Sequence, residues 1–181
     1  MCAVYRNNGN GTFTLATIAN TFEGATRGGC SIIDFNNDGK PDICYTGSTH
    51  YYQNSSRILK IYLNNGNMNF TDANVSVPGI SGLINASMSW ADSDGDGDKD
   101  LLINGHDGVN NVCRFYTVSG TLFSNQNLLM QPTSAGQISW ADVNMDGKPD
   151  IVNTGVATAD NINAIVPEIL FNNGNNNFTG V

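Results

Sequence analysis

Three stretches of this chain superpose without a gap, and a repeat of this kind confines the fold to a short list of architectures. They are Ser31-Ile-Ile-Asp34-Phe-Asn36-Asn-Asp38-Gly39-Lys40-Pro-Asp42-Ile43, Ser89-Trp-Ala-Asp92-Ser-Asp94-Gly-Asp96-Gly97-Asp98-Lys-Asp100-Leu101 and Ser139-Trp-Ala-Asp142-Val-Asn144-Met-Asp146-Gly147-Lys148-Pro-Asp150-Ile151. Their first aspartates stand 58 and 50 residues apart. A second element recurs out of phase with the first: Tyr5-Arg-Asn7-Asn8-Gly9 with Phe13, Tyr62-Leu-Asn64-Asn65-Gly66 with Phe70, and Leu170-Phe-Asn172-Asn173-Gly174 with Phe178. A degraded copy, Tyr116-Thr-Val-Ser-Gly120 with Phe123, takes the remaining place. The 181 residues therefore hold a little over three periods.

Each period reads as four short strands. Ahead of the acidic loop, Cys30/Ile32, Met88/Trp90 and Ile138/Trp140 alternate with Ser31, Ser89 and Ser139, the period-2 pattern of a strand with one buried face. The second strand follows the loop as Ile43-Cys44-Tyr45, Leu101-Leu102-Ile103 or Ile151-Val152, and ends at Gly47, Gly105 or Gly155. The third leads into Asn-Asn-Gly, residues that tolerate the positive φ of a tight hairpin. The fourth follows the Phe. No 3.6-residue apolar stripe competes with this reading, so the chain is expected to be all-β with about 13 strands. Four strands per repeat of this length predict β-propeller blades. The expected division is a partial blade at 1–28, blades at 29–78 and 79–131, and a partial blade of three strands at 132–181. Propellers close with about 4–8 blades, so the chain is expected to form an arc of a larger propeller, or one closed by another chain.

Numbered along each acidic loop, side-chain oxygens stand at positions 1, 3 and 5: Asp34, Asn36, Asp38; Asp92, Asp94, Asp96; Asp142, Asn144, Asp146. Glycine at position 6 (Gly39, Gly97, Gly147) permits a sharp turn. Position 7 offers a backbone carbonyl (Lys40, Asp98, Lys148), and position 9 a further carboxylate (Asp42, Asp100, Asp150). An oxygen-only, flexible, high-coordination set suits Ca²⁺. Zn²⁺ would call for Cys or His, and no loop contains either. An EF-hand is excluded, since Tyr45, Ile103 and Asn153 stand where it needs Glu. Leaving ten carboxylates so crowded without a cation would cost on the order of several kcal/mol. About three Ca²⁺ ions are expected, and they would bring the formal charge from −8 to −2. The middle loop, with four carboxylates at positions 1, 3, 5 and 9, is expected to bind most tightly.

These loops, together with the Asn-Asn-Gly hairpins, resemble the FG-GAP/VCBS repeats of the integrin-α-like β-propeller along essentially the whole chain. The resemblance implies Ca²⁺ held between the first two strands of each blade, and a module of extracellular adhesion, glycan binding or enzyme accessory function.

The remaining residues bound the alternatives. Acidic residues outnumber basic ones by 16 to 8, which excludes a basic nucleic-acid surface. No apolar run reaches the roughly 18–20 residues of a membrane span. The first residues carry no apolar signal-peptide core, although six Asn-x-Ser/Thr sequons (Asn10, Asn54, Asn69, Asn74, Asn85, Asn177) permit a secretory, extracellular setting. Cys2, Cys30, Cys44 and Cys113 occupy positions that sister repeats fill with apolar residues, so buried free thiols are expected, with a Cys30–Cys44 cross-strand bond as the alternative. Trp90 and Trp140 are read as core. His50 and His106 are read as loop residues without chemistry, and no nucleophile–base pair is evident. The leading reading is a non-catalytic calcium-binding adhesion module with a protein or glycan ligand. The others are a lectin-like propeller using Tyr51 and Tyr52, or the accessory propeller of a secreted enzyme. Self-association or a larger assembly is expected of the arc.

Overall fold

The structure, a computed structural model, describes residues 4–17, 22–50, 56–159 and 162–180. Among them there is no helix. Fourteen strands form one two-stranded and three four-stranded antiparallel sheets. Strands β1 (Tyr5–Asn7) and β2 (Phe13–Leu15) make the first ribbon. The first blade follows as β3 (Cys30–Ile33), β4 (Asp42–Ser48), β5 (Arg57–Asn64) and β6 (Phe70–Asp72). The second is β7 (Ile84–Ala91), β8 (Asp100–His106), β9 (Asn111–Ser119) and β10 (Leu122–Asn125). The third is β11 (Ile138–Ala141), β12 (Asp150–Ala159), β13 (Ile162–Asn172) and β14 (Phe178–Gly180). In every blade sequential neighbours pair, giving a simple meander. These are β-propeller blades, and the described arc does not close.

The core lies between blades, not within them. Because a strand turns successive side chains to opposite faces, Ile43 and Tyr45 pack toward β1–β2 with Phe22, Tyr62 and Phe70, while Cys44 points to the second blade. Leu101 and Ile103 in turn meet the first blade, and Leu102 meets the third. All three are fully shut away from solvent, each such burial being worth about 1.5–3 kcal/mol. A blade covered on both faces explains why its second strand reads as an unbroken apolar run. Entry into strand 1 brings backbone against backbone: a Cβ on Gly28 would lie 1.6 Å from the Thr46 carbonyl oxygen, and one on Gly136 2.0 Å from that of Thr154. Only glycine fits there.

Four points of the expected fold are corrected or refined. The C-terminal unit has four strands, not three, because Phe178–Gly180 pairs with Leu170–Asn172. The Asn-Asn-Gly hairpin has a five-residue turn, since Asn64 pairs with Phe70, and positive φ falls at Gly66, Asn67 and Met68. Cys30 and Ile32 are exposed, Ile32 by 61%, although the sister residues of Cys30, Met88 and Ile138, are buried and those of Ile32, Trp90 and Trp140, are half-buried. The alternation is as read, but burial depends on what covers the face, and β1–β2 does not reach Ile32. Finally, Cys44 pairs with Ser31 and not Cys30, so the two thiols project from opposite faces and no cross-strand disulfide forms. Cys44 and Cys113 are buried free thiols as expected, and Cys2 lies outside the described residues. Trp90 and Trp140 are half-buried between blades, Trp90 against Phe35 and Phe123, Trp140 against Phe115 and Phe178.

Candidate metal centre

The acidic loops join strands 1 and 2 of each blade, and their own backbone amides fold them. Asp34 accepts from Asp38 N (3.0 Å) and Gly39 N (2.9 Å); Asp142 accepts from Asp146 N (3.0 Å) and Gly147 N (2.9 Å). In the middle loop Asp92 accepts from Gly95 N (2.7 Å) and Gly97 N (3.1 Å). Position 5 takes the position-7 amide at 2.9 Å in all three loops. Gly39, Gly97 and Gly147 have φ of +81°, +98° and +85°, yet nothing lies within 4 Å of a Cβ placed on any of them. Glycine is needed for the dihedral, not for room.

In the middle loop Asp92, Asp94 and Asp96 bring carboxylate oxygens within 4.8 Å of one another. The outer loops differ by one carboxylate and one lysine. Asn36 and Asn144 replace an acid at position 3, and the position-7 lysines turn back on position 5, with Lys40 Nζ 2.8 Å from Asp38 and Lys148 Nζ 3.1 Å from Asp146. The Lys40 ammonium is the main reason that Asp38 lies below the usual carboxylate range; for Asp146 the Lys148 backbone amide leads and its ammonium follows. The middle loop has Asp98 at position 7, and its lysine stands one place later, at Lys99, next to the position-9 aspartate.

Position 9 does a second job that the spacing did not reveal. Asp42 is buried, and its two oxygens take Phe35 N (2.9 Å) and Asn64 N (2.7 Å). Asp150 takes Val143 N (3.0 Å) and Asn172 N (2.8 Å). Asp100 takes Ser93 N (2.9 Å) and Val118 N (3.0 Å), with the Ser93 hydroxyl also donating to it. Burial pushes the Asp100 carboxyl above the ordinary aspartate value, against these hydrogen bonds. Each position-9 aspartate therefore pins the start of its loop to the end of strand 3. Both oxygens of Asp42 and Asp150, and Oδ1 of Asp100, keep a second lone pair, so there the pinning role leaves room for a cation contact, whereas Asp100 Oδ2 already accepts twice from Ser93.

The Asn-Asn-Gly hairpin completes the unit. The Asn64 side chain accepts from Gly66 N (2.9 Å) and donates to the Pro41 carbonyl (3.0 Å); Asn172 repeats this with Gly174 N (2.9 Å) and Pro149 O (3.1 Å). In the second blade Val118 stands at that position and has no acceptor to offer. Gly120 N is capped instead by Asp98 Oδ2 at 2.9 Å. The two departures from the repeat, Asp98 for Lys and Val118 for Asn, compensate one another. Two motifs that look independent along the sequence are one structure in space.

The fit to a cation follows from donor chemistry. Positions 1, 3 and 5 carry carboxylates, with an amide at position 3 of the outer loops whose Nδ2 donates to the position-5 carboxylate at 3.3 Å, in turns that the position-6 glycine permits. That set suits a hard cation of flexible coordination, and it offers nothing a zinc site requires. Against protein-family models the chain matches the FG-GAP-like repeat over residues 2–45, 34–103 and 92–152. No curated protein matches it.

Proposed function

This chain belongs to the FG-GAP-like repeat family, and from that premise we propose that it is a non-catalytic, calcium-binding interaction module of the extracellular adhesion type. In this reading the ligands are positions 1, 3 and 5, the position-7 carbonyl and the position-9 carboxylate of each loop. The observation that carries it is a loop that gathers acidic side chains and is at the same time anchored to its blade. In the middle loop the carboxylate oxygens of Asp92, Asp94 and Asp96 come within 4.8 Å of one another, while in every loop position 9 ties the loop's start to the end of strand 3. A cation bound among the acidic side chains would relieve the carboxylate repulsion and stiffen a loop already anchored to the blade, acting as a staple rather than as a reagent. Exposed sequons at Asn10, Asn69, Asn74, Asn85 and Asn177 support a secretory setting; Asn54 lies outside the described residues.

Calcium removal tests the reading. A ligand that binds the folded state alone raises stability by mass action, so excess EDTA should lower the melting temperature. Ca²⁺ should restore it better than Mg²⁺, which demands rigid octahedral geometry. The middle loop, richest in carboxylates and with Asp98 in place of the position-7 lysine that pairs with position 5 in the other loops, should release its ion last. A melting curve indifferent to chelator would end the proposal.

A glycan ligand is favoured by one further feature. At the opposite end of the blades from the acidic loops, a groove of about 460 Å³ is lined by His106, Asn110, Asn111 and Gln131, with Val109 and Pro132. Polar amides beside small apolar surfaces suit a saccharide. Binding on a glycan array that is lost in Asn110→Ala would support this variant, and a blank array would leave a protein ligand. Tyr51 and Tyr52 lie outside the described residues.

A further inference from the structure

The middle acidic loop is held from both neighbouring blades. From the first blade, Asn37 Nδ2 donates to Asp98 Oδ1 at 2.8 Å. From the third, Asn176 Nδ2 lies 3.4 Å from Asp94 Oδ2, and Asn172 Nδ2 donates to the Ser93 carbonyl at 3.0 Å. Positions 2, 3 and 7 of one loop thus meet amide donors from other blades, 61 to 82 residues away in the chain. None of these donors is charged. That separates them from Lys40 and Lys148, whose ammonium groups neutralise a position-5 carboxylate and so compete with a cation for it. A neutral amide orients a carboxylate and leaves its charge available.

We propose that Asn37 and Asn176 are positioning residues for a cation at Asp92, Asp94 and Asp96, and that they couple loading of the middle loop to the packing of the second blade between its neighbours. The inference rests on the calcium reading above. It extends that reading by assigning part of the site's affinity to residues that are not ligands and that belong to other blades. Asn37 fixes Asp98, whose other oxygen already caps Gly120, and so sets the position of the seventh residue, whose carbonyl is the expected ligand. Asn176 fixes the carboxylate of Asp94, and its own Oδ1 is buried without a hydrogen-bond partner.

Asn37→Gly and Asn176→Gly remove the amides while tolerating the positive φ of both positions, 57° and 55°. Calcium chloride would be titrated into the 181-residue chain and followed by NMR. The amides of Gly39, Gly97 and Gly147 report the three loops separately. Each variant should move the Gly97 midpoint to roughly tenfold higher calcium, the usual effect of losing an outer-shell contact to a ligand. The Gly147 midpoint should stay in place in Asn37→Gly. A purely structural role would lower the metal-free melting temperature and leave the Gly97 midpoint alone. A Gly97 midpoint within twofold of the unmodified chain in both variants overturns the positioning role while the calcium reading stands. An unmodified chain with no transition at any of the three glycines overturns both.

Discussion

Asp38 and Asp42 sit four residues apart in one loop, the first exposed and the second shut away from solvent, and substitution should separate their roles. Asp42→Ala would leave the amides of Phe35 and Asn64 without acceptors. At about 1–3 kcal/mol for each unsatisfied buried group, urea denaturation in metal-free buffer should show a loss of about 3 kcal/mol. Asp38→Ala removes an exposed ion pair, so in the same buffer it should cost little while weakening calcium binding. Titration should sort the carboxyls too. In the metal-free chain Asp100 should titrate above 3.8, raised by burial, and Asp38 and Asp146 below it, as carboxyl-carbon NMR can measure. A raised aspartate is easier to keep folded when protonated. Its contribution to stability is therefore complete below the unfolded-state value and lost as pH rises through the folded one. The thiols divide likewise. Burial pushes Cys113 up to about 12 and Cys44 higher still, so both should resist iodoacetamide at pH 8 until the chain unfolds, whereas exposed Cys30 should be alkylated in the native state, as peptide mass mapping would show.

At the scale of the element, the unit is a loop and a hairpin locked together, and blade 2 offers a direct test. Asp98→Lys should uncap Gly120 and destabilise the chain. Adding Val118→Asn should return the side-chain oxygen that Asn64 and Asn172 supply in the other blades. A double-mutant cycle should give a favourable coupling of about 0.5–1.5 kcal/mol; additive effects would show that the two departures do not compensate. This pair also marks how far the sequence could be read. Strand order, the oxygen set and the glycine turns were legible because each is written in local spacing and repeated three times. The clamp at position 9 was not, because a carboxylate at ligand spacing looks the same whether it faces a cation or two buried amides. Nor was the partnership of Asp98 with Gly120, 22 residues away, which depends on strand 3 returning beside the loop. The exposure of Ile32 escaped for a related reason: alternation states which way a side chain points, and only the neighbouring sheet decides whether it is covered.

The whole molecule is a row of sheets in which each face must find another. Tyr62 and Phe70 are buried against Phe22 and Tyr45, and Tyr116 and Phe123 are buried against the first blade. Their repeat equivalents on the first ribbon, Tyr5 and Phe13, are 60% and 63% exposed, beside an exposed Leu15. They lie on one face of β1–β2, where Tyr5 pairs with Leu15 and Asn7 with Phe13. Within the described residues no strand pairs with the other edge of β1, whereas β5, β9 and β13 each pair on both edges. Apolar faces and open strand edges of this kind drive association. The 181-residue chain should therefore self-associate in solution, and light scattering should report a mass well above 19.3 kDa. Replacing Tyr5, Phe13 and Leu15 together by Lys should shift the distribution toward monomer, since all three are already exposed and none supports the inter-blade core. Calcium should not reverse the association, because the acidic loops lie at the ends of the blades and leave these faces uncovered. A cooperative monomer for the unmodified chain would show instead that an open arc of three blades is self-sufficient, and that the exposed first ribbon is a tolerated surface rather than a face in want of a partner.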